Sequence, residues 1–545
     1  MNIRLSMVHN NPGEQPFDTK FHNPEILKEY GYNGQVFKHI NTVISFDSLD
    51  LDLFPTGSKE REWLEDFSSG IKNEITLAKK VGLSVLYHID LFVLPKKIVE
   101  HYKNEICDEN GKITIDKEMT LQLHRVLLDE LFSVYPEVDG LIIRVGETYL
   151  HDTPYHTGNG AVKYGDIDTE KKQFIKLLNF LREEVCIKHN KQLIFRTWDC
   201  FNNRFHTNLQ YYLDVTDKIE THDNLYFSIK HTSLDFWRNV KWNECLTRGK
   251  HQQIIEVQCQ REYEGKGAYP SYIMDSVING DTCNKAVIGI KDVANHQLIK
   301  GVYTWPRGGG WYGPYSPNEF WSDINAYVIA NYSADTTQLE KDIFNRFAKE
   351  KMNLSEADAD KFRKLCLTSN QAILKSRYIA CYDKDALNES SMPCCNWMRD
   401  DMLGGLFHLN KAFDVLFKEN KLFEALSEKE EGLKLFEEAF DICKSINWKS
   451  CADGDFIITS CNYAVRLFNL VYQGWKVMVY GYVTDNGISK IEELKKAINS
   501  FDVAFAKYKQ LENNKNSATL YKIDYYLYNQ PGLRESVDRY RKYLQ

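Results

Sequence analysis

Three carboxylates follow runs of residues that are typical of buried β-strands in the first 330 residues. Glu147 follows "GLIIRV", Asp235 follows "LYFSIK", and Glu262 follows "IIEVQCQ". If these runs are parallel strands of one barrel, their carboxyl ends meet at the face that carries the active sites of barrel enzymes. Acids in different surroundings can divide acid and base roles, because the environment moves their pKa values apart. Glycoside hydrolysis needs that division, since one carboxylic acid protonates the leaving oxygen and one carboxylate activates water or attacks carbon.

Two cations belong to the same set of strand ends. Arg196 lies in "QLIFRTW" and Lys230 closes "LYFSIK". A cationic pair deep in a sugar site suits an anionic sugar, because arginine binds a carboxylate through two parallel hydrogen bonds. The alternative is structural, with both cations only neutralising Asp235 and Glu262. The residues alone leave both interpretations open.

The stretch "IIEVQCQREYEG" (254–265) places polar residues at alternate positions. Glu256, Gln258, Gln260 and Glu262 share one face, because successive side chains of a strand point to opposite faces. An edge strand with one wet face would have this pattern, and so would a strand that faces a polar cavity. In the second case Glu262 lies at the catalytic end, the two glutamines bind sugar hydroxyls or fix Glu262, and Glu256 is deep and structural.

The elements that must position these residues are eight short apolar or β-branched runs that alternate with amphipathic helical segments. The runs cover residues 3–8, 33–38, 83–89, 140–145, 192–198, 225–230, 254–260 and 301–305. Eight such alternations predict a (β/α)8 catalytic barrel over residues 1–330. A doubly wound open sheet is the structural rival, but the glycine-rich loops that would support nucleotide binding there are missing.

From residue 331 to 545 the pattern changes to helices. Segments such as "EALSEKEEGLKLFEEAFDICKSI" carry apolar residues at i, i+3, i+4 and i+7. We therefore expect a mostly α-helical C-terminal domain that packs directly against the barrel. A homodimer, if one forms, would use this domain.

Charge and cysteine content restrict the partners and the compartment. The formal net charge of −8 argues against nucleic acid or an anionic membrane as a partner. The 13 cysteines include no CxxC pair, which is typical of free thiols in a reducing compartment. The first residues lack the apolar region of a signal peptide. These features predict a cytoplasmic protein, or a periplasmic one if a signal peptide has been removed.

The strand-end segments resemble glycoside hydrolase family 67, the α-glucuronidases. "IIEVQCQREYEGKGAYPSYIMDSV" is similar to the family's strand-seven segment, and "IKHTSLDFW" to its strand-six segment. The 27-residue separation of Asp235 and Glu262 is close to the family's spacing. "WSDINAYVIANYSAD" is similar to the helix after strand eight. The resemblance covers roughly residues 1–340 and the presence of a helical C-terminal domain.

The resemblance implies an exo-acting, inverting enzyme without a cofactor. Its substrate would be an oligosaccharide or uronic-acid glycoside carrying α-linked glucuronic or 4-O-methyl-glucuronic acid, as in xylan degradation. Glu147 would be the general acid, and Asp235 and Glu262 would hold and deprotonate the attacking water. Arg196 and Lys230 would bind the uronate carboxylate.

The sequence also departs from the family. The acid lies in Gly146-Glu147-Thr148, where the family has Ser-Glu-Gly, and the loop after it has its own sequence. Since the first strand begins at residue 3, this sequence does not contain the family's separate N-terminal β/α domain, which helps to wall the sugar pocket. The aglycone and the sugar itself are therefore open.

Further candidates for substrate binding are histidines and tryptophans near strand ends. They are His231, Trp198 and Trp311, with His151, His156, Trp237 and Trp305 as additional candidates. Histidines near a sugar site also serve as hydrogen-bonding or structural groups, and a tryptophan there can stack on a sugar face or pack in the core.

Two other classes of function remain open. A metal-dependent isomerase or lyase acting on a sugar acid could use Glu147, Asp235, Glu262 and His231 as ligands. Activity that survives exhaustive chelation would exclude this metal-dependent class. The third class is a sugar-binding protein without catalysis, which the presence of all three carboxylates disfavours.

Overall fold

A computed structural model describes residues 1–11, 18–49, 51–148, 153–201, 203–238, 240–280, 288–382 and 397–544. Eight parallel strands form a closed barrel. They are β1 (Ile3–Met7), β2 (Gly34–Lys38), β3 (Ser84–Asp90), β4 (Gly140–Arg144), β5 (Gln192–Arg196), β6 (Leu225–Lys230), β7 (Gln252–Gln258) and β8 (Ile299–Trp305). The barrel closes because β1 pairs with both β2 and β8. This closure confirms the predicted (β/α)8 barrel and excludes the open doubly wound sheet.

Helices alternate with these strands and continue into the C-terminal region. Those of the barrel are α1 (Pro24–Tyr30), α2 (Lys59–Lys80), α3 (Lys96–His101), α4 (Lys103–Ile106), α5 (Glu118–Val134), α6 (Ile167–Leu181, continued by a π-helical turn Arg182–Lys188), α7 (Leu209–Thr216), α8 (Met274–Asn279), α9 (Ile290–Val293) and α10 (Phe320–Ala334). Those that follow are α11 (Glu340–Glu350), α12 (Glu356–Arg377), α13 (Leu406–Lys418), α14 (Leu422–Lys444), α15 (Gly454–Asp485), α16 (Ile491–Lys509) and α17 (Leu533–Arg539).

Shorter elements connect them. The 3-10 turns are Lys20–His22, Ile40–Val43, Asp47–Leu49, Gly265–Gly267, Gln510–Asn513, Leu527–Asn529 and Arg541–Leu544. Three antiparallel pairs of short strands are Val93–Pro95 with His156–Gly158, Met398–Arg399 with Met402–Leu403, and Tyr525–Tyr526 with Gln530–Pro531.

The barrel interior changes from apolar to polar along the strand direction. The lower layer is an apolar cluster that includes Leu86, Ile142, Ile194 and Ile254. Because every second side chain faces inward, the next inward positions on the same strands carry polar groups. These are His88, Arg144, Arg196 and Glu256. The apolar layer closes the bottom of the barrel, and the polar layer forms the floor of a cavity at the carboxyl end.

The C-terminal helices form a second core beside the barrel. The helix pairs α12–α14, α14–α15 and α15–α16 pack along their lengths, and Trp397, Trp475 and Phe413 lie buried between elements. In the described ranges the cysteines are free thiols, as expected. Within those same ranges we find no helix that combines the length and the apolar character needed to span a bilayer.

Candidate active site

A cavity of about 260 Å³ opens at the carboxyl ends of the barrel strands. Nine of the residues expected from the sequence line it. They are Glu147, Arg196, Trp198, Lys230, Asp235, Trp237, Glu262, Trp305 and Trp311. The barrel therefore brings together all three carboxylates and both cations, although they come from four different strand ends.

Asp235 is held by three hydrogen-bond donors. Lys230 Nζ lies 2.5 Å from its Oδ1, the Tyr263 hydroxyl donates to Oδ2 at 2.6 Å, and the Phe236 N–H donates at 3.0 Å. Tyr263 is itself fixed by stacking on Trp237, with ring centroids 3.7 Å apart. Burial by itself raises the pKa of Asp235, but the Lys230 charge and these donors outweigh it and lower the pKa to about 2. Asp235 is therefore ionised at neutral pH.

Glu262 has the opposite electrostatic environment. It is buried, and burial together with the negative charge of Asp235 raises its pKa well above the usual value of a glutamate. Its carboxylate lies against the glycine turn after β8, where a Cβ on Gly309 would stand 3.3 Å from Glu262 Oε2. Two neighbouring carboxyls with pKa values driven apart can hold one proton between them, which is the arrangement that separates acid and base roles.

Glu147 follows β4 on a partly exposed segment of the cavity wall. Gly146 brings this segment close to the β5 loop, because a Cβ there would stand 2.8 Å from Cys200 Sγ. Burial raises the pKa of the Cys200 thiol, and the nearby Glu147 charge raises it further. Glu147 and Cys200 are thus neighbours at the rim, while His151 falls outside the described residues.

Two arginines of the floor have carboxylate partners from inside the barrel. Arg196 donates from Nε and Nη2 to Glu256, at 2.9 and 2.6 Å, and this ion pair is almost fully buried. Arg144 donates from Nε to Asp90 at 2.5 Å and makes a second hydrogen bond to the same carboxylate through Nη2. Both guanidinium groups therefore already engage an internal carboxylate in bidentate fashion.

Gln258 and Gln260 are buried but do not line the cavity. Gln260 accepts the Gly308 N–H at 2.6 Å and donates to the Lys266 carbonyl at 2.9 Å. Gln258 accepts the Glu262 N–H at 3.3 Å. Both side chains thus hold the loops around Glu262, which is the second of the two roles considered for them, and they do not reach the cavity. Because these residues are buried, the polar face of β7 is not a solvent-exposed edge.

The remaining expected residues divide between the cavity and its surroundings. Trp198 lies on the wall with Lys230 Nζ 3.6 Å from its ring centroid, which places the ammonium over the aromatic face. Trp237 and Trp305 also line the cavity. His231 does not, because its ring lies in a separate depression with Nδ1 3.3 Å from the Glu256 carbonyl. His156 contacts the Pro154 carbonyl at 2.7 Å, away from the cavity lining.

Sequence reasoning missed eight residues of the cavity wall. They are His9, Asn11, Arg144, Cys200, Leu234, Tyr263, Gly309 and Arg399. Arg144 ends β4 and could have been found by the strand-end argument that identified Arg196. Arg399 belongs to a hairpin of the C-terminal region, more than 130 residues beyond Glu262, and no local signal marks it.

The ligand set of the alternative metal-dependent function, Glu147, Asp235, Glu262 and His231, is not assembled among the described residues. Among them, one group of three or more potential ligands lies within 4.8 Å, and it consists of Cys381, Glu424 and Glu428 in the helical region. His231 lines a separate depression, whereas the three barrel carboxylates line the cavity at the strand ends.

The fold and the site define a (β/α)8 barrel with an acid-rich, cation-lined polar cavity at its catalytic face. Among solved structures, a GH138 enzyme targeting pectin rhamnogalacturonan II matches 99% of this chain and 67% of its own, with a TM-score of 0.60 and 12% identity. An O-GlcNAc hydrolase mutant of Thermobaculum terrenum matches 100% of this chain and 94% of its own, with a TM-score of 0.39 and 10% identity.

Both neighbours are glycoside hydrolases, and the first has the same overall fold as this chain. No family model and no curated protein matches the sequence. The resemblance to glycoside hydrolase family 67 therefore stays a prediction.

Proposed function

We propose that the protein is an exo-acting, inverting glycoside hydrolase that removes an α-linked glucuronic acid, or its 4-O-methyl ether, from an oligosaccharide. The observation that carries the proposal is the Asp235–Glu262 pair, whose pKa values are driven apart on the cavity that Glu147 also lines. Acid and base groups separated by their environments are what glycoside hydrolysis requires.

The three acids have distinct roles in this proposal. Glu147 donates a proton to the leaving oxygen. Asp235, with a pKa of about 2, is a weak base and orients the water together with Tyr263. Glu262 has the higher pKa and, once ionised, is the stronger base, so it takes the proton of the attacking water. Inversion requires the acid and base carboxyls to lie ~6.5–9.5 Å apart with the water between them.

The size of the cavity supports removal of a terminal sugar. At about 260 Å³ it is small for a ligand site and is closed below by the apolar layer of the barrel. A cavity of this kind holds one sugar ring at the end of a chain better than a continuous polysaccharide.

The charges of the wall support an anionic sugar. Four cations line the cavity, namely Arg144, Arg196, Lys230 and Arg399, beside three acids. The four cations outnumber the three acids at the cavity surface, and the raised pKa of Glu262, which burial and the Asp235 charge cause, further reduces the negative charge there. Lys230 and Arg196, which we expected to bind the uronate, have internal partners in Asp235 and Glu256 and contribute to this positive potential.

The test is a substrate screen with aryl α-glucuronides, α-galacturonides and α-glucosides. The galacturonide is included because it carries the same carboxylate and because the solved structure of similar fold targets a pectin. We expect preference for a uronoside and an inverted anomer in early NMR spectra of the product. A preference for the glucoside would refute the uronate assignment, and retention would make one carboxylate a nucleophile.

The screen is repeated after exhaustive chelation. Unchanged activity excludes the metal-dependent isomerase or lyase, whereas loss that is restored by a divalent ion would favour that alternative.

A further inference from the structure

Arg399 belongs to a hairpin of the helical region that reaches the barrel cavity. The hairpin pairs Met398–Arg399 with Met402–Leu403 and turns at Asp400, whose φ is +46°. Asp400 accepts the Trp311 N–H of the β8 loop at 3.0 Å, and Asp401 pairs with Lys522 at 3.0 Å. Contacts to the barrel and to the helical region therefore fix its position.

The guanidinium of Arg399 is held on one edge only. Its Nε donates to Asp400 at 3.0 Å, and its Cζ lies 5.6 Å from the Tyr263 ring centroid. Neither terminal nitrogen donates to an acceptor within the described part of the chain. The side chain is 19% exposed and lines the cavity.

Arg399 thus differs from the two arginines of the cavity floor. Arg144 and Arg196 each direct Nε and Nη2 to one internal carboxylate. Arg399 uses only Nε for Asp400 and keeps the Nη1–Nη2 edge, which, like the Nε–Nη2 edge, can take both oxygens of a carboxylate. A guanidinium with that edge turned to a small cavity gains most from a ligand that supplies two acceptor oxygens.

The hairpin also lies next to the catalytic pair. The ring of Tyr263 separates Arg399 from Asp235, because its hydroxyl donates to Asp235 at 2.6 Å while Arg399 lies over its face. A Cβ on Gly310 would stand 2.6 Å from Asp400 Oδ1 and 3.3 Å from Glu262 Cβ. Arg399 therefore shares one cavity with Asp235 and Glu262, and its charge acts on Glu262.

We propose that Arg399 binds the carboxylate of the sugar through Nη1 and Nη2, so that the helical region supplies the residue that selects an anionic substrate. This inference rests on the proposed uronoside hydrolysis and assigns its anion-binding group. Arg196 then serves as a positioning residue that holds Glu256 and the barrel floor. The helical region completes the sugar site instead of only supporting the barrel.

The test compares Arg399→Gln and Arg399→Lys with a matched control, Lys522→Gln. Lys522 stabilises the same hairpin through Asp401 but does not line the cavity. For each protein, kcat/KM is measured on the aryl α-uronoside that the wild type prefers and on the aryl α-glucoside. Inhibition by free glucuronate and by free glucose is measured in parallel, since this needs no glucosidase activity.

Loss of a hydrogen bond to a charged group weakens binding by a factor of roughly 10 to 150 per contact. We expect Arg399→Gln to lower kcat/KM on the uronoside and weaken glucuronate inhibition by a factor in this range, with little change for the neutral sugars. Arg399→Lys keeps the charge but loses the bidentate geometry, so its loss should be intermediate. Lys522→Gln should leave the ratio of the two substrates unchanged.

Two outcomes overturn the proposal while leaving uronoside hydrolysis intact. One is an Arg399→Gln variant that is folded, as shown by its circular dichroism melt, and that keeps the wild-type ratio of kcat/KM on the uronoside to kcat/KM on the glucoside. The other is an equal loss of selectivity in Lys522→Gln, which would assign the effect to the hairpin position. If Arg399→Gln does not fold, Arg399→Lys is used instead, and a wild-type ratio of kcat/KM for the two substrates in that variant also overturns the proposal. A wild type that prefers the glucoside refutes the proposed function itself.

Discussion

Replacing Lys230 with methionine removes one charge from the centre of the site and keeps most of the side chain. Lys230 Nζ lies 2.5 Å from Asp235, and the lysine side chain is only 2% exposed. The methionine stem can still pack on Trp198 and Phe236, which the ammonium now covers. The substitution therefore tests the ion pair more than the packing.

The magnitude follows from the pKa of Asp235. Its depression from 3.8 to about 2 corresponds to about 2.5 kcal/mol at ~1.36 kcal/mol per unit. Because the folded-state pKa is the lower one, this stability is present above pH 3.8 and is lost as pH falls through about 2. Without Lys230, burial raises the pKa of Asp235, so ionising it opposes folding. Removing one partner of a buried pair costs ~3–5 kcal/mol.

Urea unfolding measures this effect. We expect Lys230→Met to lose about 3 kcal/mol at neutral pH, with a deficit that shrinks as pH falls to about 4 because Asp235 becomes protonated. The control is Lys79→Met, which breaks a Lys–Asp contact of the same 2.5 Å length on the partly exposed outside of the barrel. Because a partly exposed ion pair contributes ~0–1 kcal/mol to stability, Lys79→Met should lose no more than this in its free energy of unfolding.

The pH dependence of kcat/KM is a second test of how Lys230 affects the two neighbouring carboxyls. Lys230 lowers the pKa of both Asp235 and Glu262, so its removal raises both. Since the proposed base must be ionised, the acid limb of the profile should move to higher pH. An unchanged acid limb, together with a stability loss no larger than that of Lys79→Met, would refute the electrostatic account of the site.

Three further predictions concern the acids and the glycine turn. Glu147→Gln should lower the rate on natural glycosides by ~10²–10⁴-fold and far less on substrates with a very acidic leaving group; equal losses in steady-state assays would indicate a binding role. The Asp235→Ala/Glu262→Ala double variant should be little worse in kcat than the worse single variant, because groups that act as a unit are non-additive; additive losses would mean that they act separately. Gly309→Ala should destabilise the β8 loop, since φ is +97° and the new Cβ would stand 2.1 Å from Gln258 Nε2; an unchanged melting temperature would contradict this geometry.

The barrel could be predicted because its signal is local and repeated. All eight predicted runs overlap a barrel strand, and their alternation with helices specifies parallel pairing. The period of two predicted that Glu256, Gln258, Gln260 and Glu262 share one face of a strand. The strand ends at Gln258, so Gln260 and Glu262 lie on the loop that follows, although all four residues are buried. The strand-end rule then placed Glu147 and Asp235 on the same cavity.

The sequence thus determined the fold class and which strand ends carry charge, because both depend on spacing along the chain. The tertiary structure alone decided which charges pair. Arg196 engages Glu256, Lys230 engages Asp235, and the side chains of Gln258 and Gln260 hydrogen-bond to loop residues. It also brought Arg399 to the cavity from a hairpin far along the chain. Partner choice depends on distances across the barrel and on burial, which strengthens each charge interaction, and neither is encoded in local periodicity.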